Sequence, residues 1–190
     1  MRILLFDNYD SFTYNLLHML EAVSAEVKVE VIRNDESFTT RWSEFDRVVI
    51  SPGPGLPEES GGLMHFIETV AGKIPVLGVC LGHQAIISYF GGRLLNLENV
   101  LHGKSCPTEI VDKTEVLFKG LPERIMTGHY HSWVADPSFF PEKLTITAKS
   151  PEGHIMAFRH KELEMAGVQF HPESILTPQG ASILTNWINS

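Results

Sequence analysis

At 190 residues, with 43% hydrophobic and 20% charged side chains, the chain reads as one globular domain with room for a full hydrophobic core. Its formal charge of -8 at pH 7 excludes a protein that grips nucleic acid through an extended basic surface. No apolar run approaches membrane-spanning length, the segment Met1-Arg2-Ile3-Leu4-Leu5-Phe6-Asp7 does not read as a signal peptide, and two cysteines without close spacing, Cys80 and Cys106, predict a disulfide-free protein of the reducing cytoplasm.

In chain order, residues 2–6 form a short apolar run of the kind a strand buried on both faces requires. Asp10 or Ser11 is placed to cap a helix in which Phe12, Leu16, Leu17 and Leu20 recur at helical spacing. Residues 27–32 alternate as a strand, and 47–50 give another that ends in Ser51-Pro52-Gly53-Pro54-Gly55-Leu56-Pro57. A helix is predicted over 60–71, a strand over 75–79 and a helix over 82–90. Strands alternating with helices predict an α/β fold of three layers, a mostly parallel, mixed sheet with helices on both faces. Residues 93–170 differ in texture: short β-like runs recur at 93–97, 108–111, 125–129, 144–148, 154–159 and 166–170. A last helix is predicted over 179–188, and no repeat or linker divides residues 1–190.

Three segments carry chemistry. Gly78-Val79-Cys80-Leu81-Gly82, between a strand and a helix, has the form of a nucleophile elbow with cysteine in the nucleophile position. The N-terminus of the following helix favours thiolate, the reactive form; the competing reading is a buried structural cysteine. His171-Pro172-Glu173 follows an apolar stretch and supplies an imidazole and a carboxylate two residues apart. The imidazole would move the thiol proton and the carboxylate would orient the ring. Alone, such a loop is more often a solvated turn. The Pro/Gly segment 51–57 can present bare backbone N–H groups to a developing oxyanion, although a plain turn is the commoner use of these residues. It is neither a Walker loop nor a dinucleotide fingerprint.

Together these segments make the chain resemble the class I, triad-type glutamine amidotransferases, most closely the glutaminase subunit (component II) of anthranilate and para-aminobenzoate synthases. The resemblance rests on Asp7-Asn8-Tyr9-Asp10-Ser11-Phe12-Thr13-Tyr14-Asn15, Arg33-Asn34-Asp35, the Pro/Gly segment, Gly78 to Gln84, His102-Gly103-Lys104, Tyr130-His131-Ser132 and Gly167 to Ser174, spread over the whole chain. It implies Cys80 as nucleophile toward glutamine, His171 as general base and then acid, Glu173 as its orienting partner, and the N–H groups of Gly53 and Leu81 as the oxyanion hole. It further implies that Gly53, Pro54, Gly55, Gln84, Ser132 and Trp133 bind L-glutamine. The expected partner is a chorismate-binding synthase subunit, component I, which receives the ammonia; no cofactor is implied for this chain, while the synthase partner is expected to need Mg.

Two positions depart from the family pattern. Trp133 stands where leucine is common, which is tolerable if that position acts through its backbone. His129 replaces a frequent arginine, which bears on a local contact with the partner. The nine histidines show no zinc spacing, so no metal is predicted, and His83 is expected to pack on the elbow helix. Asp7, Asn8 and Asp10 either line a crevice at a strand end or cap the first helix; the resemblance turns that end toward the partner. The alternative function is a freestanding cysteine hydrolase or peptidase on a similar α/β scaffold.

Overall fold

The computed structural model describes residues 1–36 and 41–190. Strands β1 (Arg2–Asp7), β2 (Lys28–Arg33), β3 (Arg47–Ile50), β4 (Val76–Val79) and β9 (Met165–Val168) pair in parallel in the order β2-β1-β3-β4-β9. The sheet continues antiparallel through β8 (Ile155–His160), β7 (Leu144–Lys149), β5 (Leu94–Ile110) and β6 (Arg124–Ala135). The fold is therefore α/β with a mixed sheet.

The inner strands are apolar throughout because both of their faces are covered. Side chains alternate across a strand, so Ile3 and Leu5 join one buried cluster with Leu16 and Leu20 of α1 (Thr13–Glu21) and Ile183, Leu184 and Trp187 of α4 (Gly180–Ile188). Leu4 and Phe6 join the opposite cluster with Leu63, Phe66 and Ile67 of α2 (Leu63–Val70) and Ala85, Ile86 and Ile87 of α3 (Leu81–Tyr89). Phe6 and Phe66 stack with ring centroids 4.0 Å apart. Among the described residues no helix is long and apolar enough to cross a membrane.

Three expectations from the sequence are corrected. The runs at 93–97 and 108–111 belong to a single 17-residue strand, β5, whose pairing with β6 shifts register between Asn96 and Leu101 and again between His102 and Lys104. The run at 125–129 is the first part of a strand that extends to Ala135. The first helix is not capped by Asp10 or Ser11: its N-cap is Phe12, without a side-chain cap bond. Asp10 acts one step earlier, its carboxylate accepting the Phe12 N–H at 2.8 Å, while Asp7 accepts the Thr13 hydroxyl at 2.6 Å.

The long β5–β6 ribbon positions the site. The sheet curls until Gly128 of β6 bridges His171, just past β9, and this carries residues 130–133 over the C-terminal ends of β4 and β9. Loops leaving β1, β3, β4 and β9 meet there, at the edge where open α/β sheets place their sites.

Candidate active site

Cys80 sits between β4 and α3 with φ 52° and ψ -99°, a left-handed conformation that a non-glycine residue adopts only under constraint. The constraint is visible. The Cys80 N–H donates to the Val168 carbonyl at 2.8 Å, and the Cys80 carbonyl accepts the Gln84 N–H at 3.0 Å, so strand and helix hold the residue from both sides. The flanking glycines are required by close approach. A Cβ on Gly78 would lie 2.5 Å from the Gly82 backbone, and one on Gly82 would lie 2.6 Å from the Ile50 carbonyl oxygen. Leu81 opens α3, so its N–H has no intrahelical acceptor and stands at the positive end of the helix beside the sulfur.

His171 and Glu173 are buried beneath this point, 2% and 5% exposed. His171 Nδ1 and Glu173 Oε1 are 2.6 Å apart. The backbone of the loop is tied down: the His171 N–H donates to Gly128 O at 3.0 Å, and its carbonyl accepts the Thr177 hydroxyl at 2.6 Å. Rings of Tyr130 and Phe12 stand edge-on to the imidazole at 4.9 and 5.4 Å, shielding it from solvent. Burial opposes a proton on His171, but the Cys80 sulfur and the Glu173 carboxylate outweigh it and hold the ring well above the usual imidazole range. Nε2 has no partner within hydrogen-bond geometry among the described residues, yet the Cys80 sulfur still raises the ring, both through its charge and as an acceptor facing it.

A cavity of about 230 Å³ opens on Cys80, walled by Gly53, Pro54, Gly55, Gln84, Tyr130, His131, Ser132 and Trp133. Every residue that the family resemblance assigns to glutamine therefore borders the same space as the cysteine. The Pro/Gly segment is locked to β1: Asn8 donates from its backbone N–H to Ser51 Oγ at 2.8 Å and from Nδ2 to Ser51 O at 3.0 Å. Trp133 contributes its carbonyl, which accepts Gln84 Nε2 at 2.8 Å.

Several partners in the site were not singled out from sequence. Gln169 is fully buried, bonded to Gln84 at 3.2 Å, with its Nε2 3.7 Å from Cys80 Sγ. It opens the Gln-Phe-His-Pro-Glu run, but nothing local shows that its side chain turns back to residue 80. His131 borders the cavity and its Nε2 is 3.0 Å from Nδ1 of His129. His129 is thus an interior residue rather than a surface contact; burial pushes it down to about 4 and His131 down to about 3. His83 is wholly buried on α3 against the Phe158 ring, 4.9 Å between centroids, and burial lowers it to about 3. Cys106 is half-buried on β5. Among the described residues no group of three or more His, Cys, Asp or Glu side chains is placed to hold a metal ion.

Comparison with known proteins bears on this geometry. Residues 4–190 match the sequence profile of the glutamine amidotransferase class-I family. The chain is 45% identical over 190 residues to the Bacillus subtilis aminodeoxychorismate/anthranilate synthase component 2, covering 99% of this chain and 96% of that one. It is 44% identical over 193 residues to the Thermotoga maritima bifunctional protein TrpGD, of whose length it spans only 32%. A crystal structure of a Thermoplasma acidophilum protein, proposed to be one subunit of a GMP synthase, superposes with a TM-score of 0.88 at 25% identity, covering 100% of this chain and 92% of that one. A family match over nearly all residues, with close relatives matched end to end, establishes that the chain belongs to the class-I glutamine amidotransferases.

Proposed function

We propose that the chain is a glutaminase subunit that releases ammonia from L-glutamine through Cys80, His171 and Glu173 and passes it to a chorismate-using synthase subunit. The observation that carries this reading is the convergence on one cavity of a strained elbow cysteine with Gly53, Pro54, Gly55, Gln84, Ser132 and Trp133. With both Nε2 hydrogens committed to Trp133 O and Gln169 Oε1, Gln84 is left with its amide oxygen to offer, a suitable acceptor for a substrate ammonium.

The upward shift of His171 favours an imidazolium, the form the ring takes once it holds the proton given up by Cys80. Cys80 Sγ attacks the glutamine side-chain carbonyl carbon, and the oxygen that becomes negative is met by the N–H groups of Gly53 and Leu81. His171 Nε2 gives its proton to the departing nitrogen, the carbon–nitrogen bond breaks, and ammonia leaves a γ-glutamyl thioester. His171 then takes a proton from water as the water attacks the thioester, and glutamate and thiolate separate. Glu173 holds the ring through Nδ1 throughout. No cofactor enters these steps in this chain; any Mg requirement belongs to the synthase partner.

The synthase partner is inferred from the names of the curated relatives, which leave anthranilate and aminodeoxychorismate both open as products. Residues 1–190 then act as one domain, without nucleic acid or membrane, in the cytoplasm. The test uses the chain with a chorismate-using synthase. Cys80→Ser is expected to cut glutamine-dependent synthesis at least about a thousandfold while ammonia-dependent synthesis persists. Equal loss of both would refute the division of labour, and peptide cleavage without ammonia release from glutamine would favour the freestanding hydrolase.

A further inference from the structure

Donor and acceptor chemistry fixes which end of the Gln169 amide faces the cysteine. The Trp133 carbonyl can only accept, so the Gln84 atom 2.8 Å from it is the amide nitrogen. That nitrogen lies 3.2 Å from Gln169, so the atom it meets there is the carbonyl oxygen. The other end of the Gln169 amide, 3.7 Å from Cys80 Sγ, is therefore the NH2 group. Gln169 is fully buried, and its backbone N–H is tied to Met156 O at 2.8 Å, so neither water nor rotation of the segment readily removes this donor.

We propose that Gln169 is a further catalytic residue of this site, donating Nε2–H to the Cys80 sulfur and stabilising its thiolate, with Gln84 coupling that donor to the wall of the substrate cavity. The inference rests on the reading of Cys80 as nucleophile. A hydrogen bond to sulfur strengthens when the sulfur carries charge. The sulfur is anionic twice in each turnover, before attack on glutamine and again when the thioester is hydrolysed. His171 gives up its proton between these points and acts as a base in the second half. The Gln169 amide keeps its hydrogens in both halves, so it offers the sulfur the same donor whichever protonation state His171 is in. The link through Gln84 also means that a substrate shifting the Trp133 segment shifts the amide that faces the sulfur.

The experiment is alkylation of the full chain by iodoacetamide across a pH series, read separately at Cys80 and Cys106 by peptide mass. Gln169→Leu removes the donor. Gln169→Glu keeps both the shape and an acceptor for Gln84, and it serves alone if the leucine variant does not fold. Both are expected to move the Cys80 profile to higher pH by about one unit, the glutamate variant further, with the Cys106 profile unmoved. In ammonia release kcat is expected to fall at least about tenfold with KM changed less than about threefold. An unmoved Cys80 profile, or equal shifts at both cysteines, overturns the inference. If Cys80 alkylation leaves wild-type ammonia release intact, it is the underlying reading of Cys80 that fails instead.

Discussion

Gly53 shows what a single missing side chain contributes. A Cβ there would lie 2.6 Å from Asn8 Cβ, 2.7 Å from Leu81 Cδ2 and 2.9 Å from the Asn8 carbonyl oxygen. None of these can retreat easily, since Asn8 is bonded to Ser51 through both its backbone and its side chain and Leu81 is packed at the start of α3. Gly53→Ala is therefore expected to push the Pro/Gly segment outward and take a proposed oxyanion donor with it. The expected result is a fall in kcat of roughly 10- to 100-fold, with a smaller change in KM, measured as ammonia release at saturating glutamine. An unaltered kcat would remove Gly53 from the oxyanion role. The spacing of the Pro/Gly segment was legible in the sequence; the neighbours that make glycine obligatory were not, because Asn8 and Leu81 are brought beside it only by the pairing of β1 with β3 and the docking of α3.

At the scale of elements, the loop after β9 owes its shape to a ribbon that lies far away in sheet order. Thr177 joins the two: its hydroxyl donates to His171 O at 2.6 Å and accepts the Gly128 N–H at 2.9 Å. Thr177→Val keeps the volume and loses both bonds, leaving the buried Gly128 N–H unpaired. A stability loss of about 2 kcal/mol, read by urea denaturation, is expected together with reduced ammonia release. Unchanged stability would show that the hydroxyl is not what fastens the loop. The sequence resolved the elements unevenly for a physical reason. β1, β3 and β4 are buried on both faces and advertise themselves as apolar runs. Residues 97–106 of β5 are largely exposed or half-buried, so no hydrophobic pattern marks them as strand. From Leu101 onward they are extended because β6 pairs with them, and pairing across the sheet is not encoded in a local window. The elbow and the His-Pro-Glu loop were readable because their chemistry is local. The Gln84–Gln169–Cys80 chain was not, since it joins side chains 85 and 89 residues apart.

Across the whole molecule, burial lowers His160 at the end of β8 and acts most strongly on three other histidines: His83 on α3 against β8, and His129 and His131 on β6 beneath the cavity. Burial drives the downward shift of each, to about 3, about 4 and about 3. An unfolded chain takes up a proton at each near the ordinary value of 6.5, and the native state does not, so acidification below that value draws the equilibrium toward unfolding. Their contribution is fully present above pH 6.5 and is lost progressively as pH falls, to about 4 for His129 and about 3 for His83 and His131. His171 runs the other way: it is raised, so its contribution is complete below 6.5 and fades as pH rises through its native value. Asp10 and Glu115, raised by burial, oppose the histidines on the acid side, which makes the overall pH profile a poor reporter of any one group. Comparison of a variant with the wild type cancels these shared contributions. His83→Leu keeps an apolar contact with Phe158 and removes a group whose protonation in place is disfavoured by burial. Relative to the wild type, this variant is expected to gain up to roughly 3 kcal/mol between pH 7 and pH 4, followed by urea denaturation at each pH. Parallel stability curves for the two proteins would show that His83 takes up its proton without unfolding the chain, and that the acid limit is set elsewhere.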